Sequence, residues 1–234
     1  MRCVGHRGAC FYEPENTLPS VEAAIQLGAE LVEVDVRRCG DGSLVAFHDA
    51  EVDRVTDGVG LLSQLSLSQA KTLYLGLGCR IASLSEVLRA AAGKVRLILE
   101  LKEPGTEAET LRMVEAEGLK GETVFSSYHH PILRQLKTLN PKVETGVIVK
   151  AEPVSIVEVA GKARAEWVFA EHRRITARMV EEAEGAGLRL AAWTVNSREA
   201  LERLRGLGVE VIVSDRPNLV TGRPLHRPPR AYIA

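Results

Sequence analysis

Leu31-Val32-Glu33-Val34-Asp35-Val36 is a short run in which acids alternate with valines, and a helix-like stretch from Val21 to Leu27 ends at Gly28 just before it. Side chains at i and i+2 of a strand share a face, so Glu33 and Asp35 point one way while Val32, Val34 and Val36 point the other. Gly28 suits the helix end, where a left-handed residue without a Cβ closes the last turn. Helix, glycine and β-branched strand therefore follow one another within a few residues.

The same grammar recurs along the chain. Thr110 to Glu117 ends at Gly118 before a strand at 123–125, and Met179 to Glu184 reaches Gly185 and Gly187 before 188–193. Ala200 to Arg205 ends at Gly206 and Gly208 before 209–213. Thr17, Ser83 with Glu86, Thr176 and Ser197 precede apolar-periodic segments, as helix N-caps do. Strands are expected near 3–6, 31–36, 95–101, 123–127, 144–149, 167–170, 189–193 and 209–214. Eight strands alternating with helices predict an α/β protein of the closed (β/α)8 TIM-barrel class, which takes roughly 200 residues or more. An open doubly wound sheet is the alternative, though it would need fewer strands or a second domain. One domain over 1–234 is expected, with a short insertion at about 43–80 between the second and third barrel strands. Within it, 43–48 reads as an extra hairpin strand and 49–80 as an irregular excursion suited to a lid or substrate wall. The proline- and arginine-containing tail at 222–234 reads as an extended strap.

In a barrel the valines of 31–36 meet the helices and the acids face the axis. The third strand repeats the pattern: Leu97, Leu99 and Leu101 face outward, leaving Ile98, Glu100 and Lys102 inward at the carboxyl end, where barrel active sites lie. Glu33, Asp35 and Glu100 then converge with His6-Arg7 from the end of the first strand. Oxygen ligands select hard cations, so magnesium or calcium is expected rather than zinc, and three ligands do not separate the two. Arg7 and Lys102 would offset phosphate charge. His48, in Phe47-His48-Asp49, supplies a second imidazole, so that one ring can act as base and the other as acid. His129, His130 and His172 read instead as capping or solvent-exposed residues.

Composition excludes some classes. The net charge of -1 leaves no basic field for nucleic acid or acidic lipid. No apolar run approaches the roughly 18 residues of a membrane span, and the first strand begins close to Met1, leaving no room for a signal peptide. A cytoplasmic location is expected, and Cys3, Cys10, Cys39 and Cys79, which have no close C-x-x-C spacing, are expected to be free thiols.

These residues closely resemble the glycerophosphodiester phosphodiesterase family, and its compact cytoplasmic bacterial branch in particular. The resemblance runs in order through His6-Arg7-Gly8, Glu15-Asn16-Thr17, Glu33-Val34-Asp35-Val36, Asp41-Gly42, His48-Asp49, Leu84-Ser85-Glu86-Val87-Leu88, Glu100-Leu101-Lys102, Trp193-Thr194-Val195-Asn196 and Ser214-Asp215-Arg216-Pro217. It implies a (β/α)8 barrel that hydrolyses glycerophosphodiesters to sn-glycerol 3-phosphate and an alcohol. It further implies His6 and His48 as general acid and base, Glu33, Asp35 and Glu100 as ligands of a divalent metal, and Arg7 and Lys102 as the phosphate clamp. Glu15 and Asn16 are expected to orient the groups that bind substrate, with a helix cap as the alternative for Asn16, and Phe11, Tyr128 and Trp193 to contact the glycerol or head group. Water and the substrate's own hydroxyl both remain open as nucleophile. Two other readings also stay open: a phospholipase C- or lysophospholipase D-like enzyme on a lipid phosphodiester, and a non-catalytic phosphodiester-binding barrel. Neither nucleic acid nor stable membrane insertion is expected, and the sequence leaves the oligomeric state open.

Overall fold

A computed structural model describes residues 1–150 and 155–225. Its strands are β1 (Arg2–Gly5), β2 (Leu31–Arg38), β3 (Leu44–Ala46), β4 (Arg96–Leu101), β5 (Thr123–Ser127), β6 (Glu144–Val149), β7 (Trp167–Glu171), β8 (Arg189–Trp193) and β9 (Val211–Ser214). All but β3 run parallel in one sheet, and β1 pairs with both β2 and β9, so the sheet closes into an eight-stranded barrel. The extra strand β3 adds antiparallel to the end of β2, in the register Val36↔Ala46, as the hairpin expected at 43–48.

Two strands start later than their apolar runs suggest. Val95 and Val209 donate their amides back to Ala91 and Leu204. Each therefore closes the preceding helix, and β4 and β9 begin at Arg96 and Val211.

Alternation along each strand separates two apolar layers. Val4, Leu31, Ile98, Val124, Ile148, Trp167, Phe169, Ala191, Val211 and Val213 fill the barrel interior. Val32, Val34, Val36, Leu97, Leu99 and Leu101 belong to the larger layer between the strands and the surrounding helices. Those helices include α1 (Leu18–Gln26), α3 (Leu84–Ala91), α4 (Glu107–Ala116), α5 (His130–Leu139), α6 (Ile156–Ala163), α7 (Ala177–Gly185) and α8 (Arg198–Gly206), with α2 (Leu67–Ala70) in the insertion and α9 (Pro217–Thr221) after the last strand. Thr17, Ser83, Thr176 and Ser197 are N-caps, each accepting a hydrogen bond from the amide three residues on, and Ser83 forms a capping box with Glu86.

The insertion builds a small core of its own from Val45, Phe47, Val52, Leu62, Leu75 and Ile81. It is thus a folded unit with its own core rather than an irregular excursion. After α9 the chain turns at Gly222 (φ 71°), and Leu225 packs against the main core. The rest of the tail expected as a strap, 226–234, lies outside the described residues. Among the described residues no helix is long and apolar enough to cross a membrane.

Ile98 sits inside the barrel at 1% exposure. Ile98→Ala is expected to cost about 2–5 kcal/mol in urea unfolding, because the closed wall limits collapse around the lost methyls. An unchanged midpoint would contradict a packed interior.

Candidate active site

Stepping by two residues toward the carboxyl ends of the strands turns the barrel lining from apolar to polar. Ile98 is followed by Glu100 and Lys102, Val124 by Ser126 and Tyr128, Ile148 by Lys150, Val4 by His6, and Leu31 by Glu33 and Asp35. A cavity of about 480 Å³ opens at this end, lined among others by His6, Arg7, Glu33, His48, Glu100 and Lys102. Tyr128, Lys150, Phe169 and Trp193 also line it. Tyr128 and Trp193 meet edge to face with ring centroids 6.1 Å apart, and the Lys150 ammonium lies 5.1 Å from the centre of the Tyr128 ring.

Pairing of β2 with β4 sets Asp35 beside Glu100. Glu33, Asp35 and Glu100 each place one carboxylate oxygen within 4.8 Å of the others. Asp35 is the most fully neutralised of the three. Lys102 Nζ lies 3.2 Å from it, Arg7 Nε 3.3 Å, and Asn16 Nδ2 donates to it at 2.8 Å. Lys102 also donates to Glu100. Glu33 receives only the backbone amide of Arg7 on Oε2, at 2.8 Å, while its Oε1 is buried with no hydrogen-bond partner among the described residues.

The acidities follow these surroundings. Burial opposes the ionised form of Asp35, but Lys102 and Arg7 overcome it and hold the carboxyl below its usual range. Burial and the nearby charge of Asp35 push Glu33 and Glu100 up. An orphaned buried oxygen in an all-oxygen, under-neutralised set fits a hard divalent cation.

The loop after β1 delivers several of these groups because its backbone is shaped for them. Arg7 and Asn16 both have left-handed backbones (φ 51° and 57°), and a Cβ on Gly8 would lie 2.3 Å from Ser20 Oγ. Only glycine lets this loop rest on the first turn of α1, where Ser20 Oγ donates to the Arg7 carbonyl at 2.8 Å. Asn16 is not the helix cap, which is Thr17; its side chain grips Asp35 through both the carboxylate and the backbone amide. Glu15 accepts from Arg7 at 2.9 Å and from Arg54 at 2.7 Å.

Each imidazole at the rim has a carboxylate on Nδ1. His6 contacts Asp215 at 2.6 Å and His48 contacts Asp49 at 2.6 Å, leaving each Nε2 outside that bond. Burial opposes a charge on His6, but the Asp215 hydrogen bond and the charge of Glu33 outweigh it and raise its pKa. Burial prevails at His48, where Arg7 and Lys102 reinforce it, and the pKa falls.

Not every residue singled out from the sequence lines the cavity. Glu15 and Asn16 stand behind it, and Phe11 lies outside the lining, 45% exposed beneath the Arg216 guanidinium. His129 precedes α5 without a side-chain capping bond, the His130 ring faces the Ile148 carbonyl at 3.2 Å, and His172 is likewise absent from the lining. Sequence reasoning assigned no part to Asp215, Asp49, Arg54, Cys10 or Lys150. The signals were thin: Asp49 follows His48, and Lys150 continues the inward alternation from Ile148.

Asp215 sits near 2 instead of 3.8. Burial alone would raise it, and the bond and charge of His6, with donors from Cys10 and Asn196, bring it down. A depressed carboxyl stabilises the fold above its ordinary pKa and loses that contribution as pH falls toward the folded value. Asp215→Asn is therefore expected to be about 2 kcal/mol less stable than the parent at pH 7, with roughly half of the gap gone by about pH 3. Urea unfolding across that range is the measurement, and a gap independent of pH would rule the ion pair out as its cause.

Comparisons with known proteins show the family. Residues 6–219 match the model of the glycerophosphoryl diester phosphodiesterase family. A glycerophosphodiester phosphodiesterase of Caldanaerobacter subterraneus subsp. tengcongensis is 31% identical over 227 residues, covering 92% of this chain and 93% of its own. One from Bacillus subtilis is 26% identical over 92% of this chain and 84% of its own. The solved structure of an Oleispira antarctica phosphodiesterase in complex with the product sn-glycerol-3-phosphate superimposes with a TM-score of 0.88 at 29% identity, covering 95% of this chain and 96% of that one. A closed barrel with these motifs in this order, matched over nearly its whole length, belongs to the glycerophosphoryl diester phosphodiesterase family.

Proposed function

We propose that this chain hydrolyses glycerophosphodiesters to sn-glycerol 3-phosphate and an alcohol, using a divalent cation, magnesium or calcium, held by Glu33, Asp35 and Glu100. The observation that carries this reading is one cavity lined by two imidazoles, each held by a carboxylate, beside an under-neutralised carboxylate cluster. A cation bound there supplies positive charge to the phosphoryl oxygens.

The chain's own residues do the rest. Arg7 and Lys102 offset charge on the phosphoryl group as it develops, and the barrel wall holds the diester for in-line attack. One imidazole takes a proton from the nucleophile, water or the substrate's own hydroxyl, while the other gives one to the departing alkoxide. The opposite pKa directions suit His6 to the donor part and His48 to the acceptor part. Asp215 and Asp49 keep the rings oriented. Glu15 and Asn16 act on substrate indirectly, the first through Arg7 and the second through Asp35. Trp193 supports the alcohol or glycerol side: its ring lines the cavity, and its buried Nε1 has no acceptor among the described residues. Phe11, exposed and outside the cavity lining, is kept as a contact for a larger head group only. We place the enzyme in the cytoplasm, acting on small diesters rather than on nucleic acid.

Release of glycerol 3-phosphate from glycerophosphocholine and glycerophosphoethanolamine, with magnesium, calcium or chelator, tests the reading directly. Cation-dependent release is expected; full activity in excess chelator would remove the metal from the account. His6→Ala and His48→Ala are each expected to lower turnover by about 10²–10⁴-fold while substrate still binds. Parent-like turnover in either would end the acid/base assignment. Glu33→Ala is expected to abolish stimulation by added cation, read as the slope of rate against magnesium concentration.

A further inference from the structure

The geometry points to a second metal site at the same rim, distinct in chemistry from the carboxylate cluster: His6, Cys10 and Asp215 form a site for a borderline or soft divalent cation such as zinc or cadmium. A ring nitrogen, a thiol sulfur and a carboxylate oxygen lie within 4.8 Å of one another. Cys10 Sγ donates to Asp215 Oδ1 at 3.0 Å, and His6 Nδ1 meets the same oxygen at 2.6 Å. In a tetrahedral zinc centre, bonds of about 2.0–2.3 Å set ligand atoms roughly 3–4 Å apart, so small rotations would bring this set to that spacing. Water could complete the fourth position. One nitrogen and one sulfur select against magnesium and calcium, which keep to oxygen.

Fixed surroundings hold the three ligands in place. The Asp215 amide donates to Asn196 Oδ1 at 3.0 Å, and Asn196 Nδ2 donates back to its carboxylate at 2.5 Å. The Phe11 amide donates to the Asp215 carbonyl at 3.2 Å, which ties the Cys10 loop to the end of β9. None of the three is fully buried, so a cation can enter from solvent. Burial and the adjacent Asp215 charge keep the thiol protonated in the free protein. Binding therefore exchanges protons for the metal: Cys10–SH, the His6 imidazolium and M²⁺ give Cys10–S⁻ and neutral His6 bound to M²⁺, with two H⁺ released to water.

The functional consequence rests on the proposed phosphodiesterase reading. A cation on His6 removes it from proton transfer, so a soft metal would switch the enzyme off with magnesium still on the carboxylates.

Cadmium titration of the full-length protein in excess magnesium tests the site by its thiolate-to-metal charge-transfer absorption. Cys3, Cys39 and Cys79 are buried, so the expected band rises to one equivalent in the parent and is absent in Cys10→Ser and Cys10→Ala. Zinc inhibition at fixed magnesium should weaken by at least about tenfold in both variants, with their uninhibited turnover close to that of the parent. A band of parental intensity in either variant, or equal zinc sensitivity, would overturn the proposal. Should the protein release no glycerol 3-phosphate at all, the function reading falls while the cadmium band still decides this one.

Discussion

The parallel register of β2 on β4, with Asp35 opposite Glu100, is the constraint on which the rest of the site depends. A slip of one residue would turn Glu33 and Asp35 into the apolar layer under the helices and their valines into the cavity. The valines and leucines of the two strands prevent it, because Val32, Val34, Leu97 and Leu99 are buried completely against the helix layer. Hydrophobic packing on one face thus fixes where the carboxylates stand on the other.

Crowding three carboxylates in a buried place is unfavourable unless positive groups accompany them. Arg7 and Lys102 meet that requirement for Asp35, with a hydrogen bond from Asn16 beside them, and the remainder is left on Glu33 and Glu100. The uneven distribution matters more than the total. A set neutralised throughout would be a structural ion-pair network, whereas one buried oxygen without a partner leaves attraction for a further cation.

The insertion is coupled to this centre by charge as well as by packing. Arg54 donates to Asp49, which holds His48, and to Glu15, which holds Arg7. A continuous chain of hydrogen bonds and ion pairs runs from His48 in the insertion to Asp35 in the barrel. Arg54 itself is nearly half exposed, so salt weakens this latch more than the buried end at Asp35 and Lys102.

Local rules made much of this legible from the residues alone. Period-two alternation identifies the strands and their inward faces, a glycine marks the end of several helices, and hydroxyl side chains mark several starts; all three depend on neighbours a few residues apart. The carboxylates and Lys102 could be read because β2 and β4 carry the same alternation. Asp215 could not, since its bond to His6 joins residues 209 apart and exists only once β9 closes against β1. The same closure brings Cys10 to Asp215, and the fold of the insertion brings Arg54 to Glu15. Residue order alone sets the elements, their faces and the kinds of chemistry available at the barrel mouth, because these follow from backbone periodicity. Which carboxylate holds which imidazole, and which oxygen is left without a partner among the described residues, follows from the closed barrel, because those depend on distances that no local rule contains.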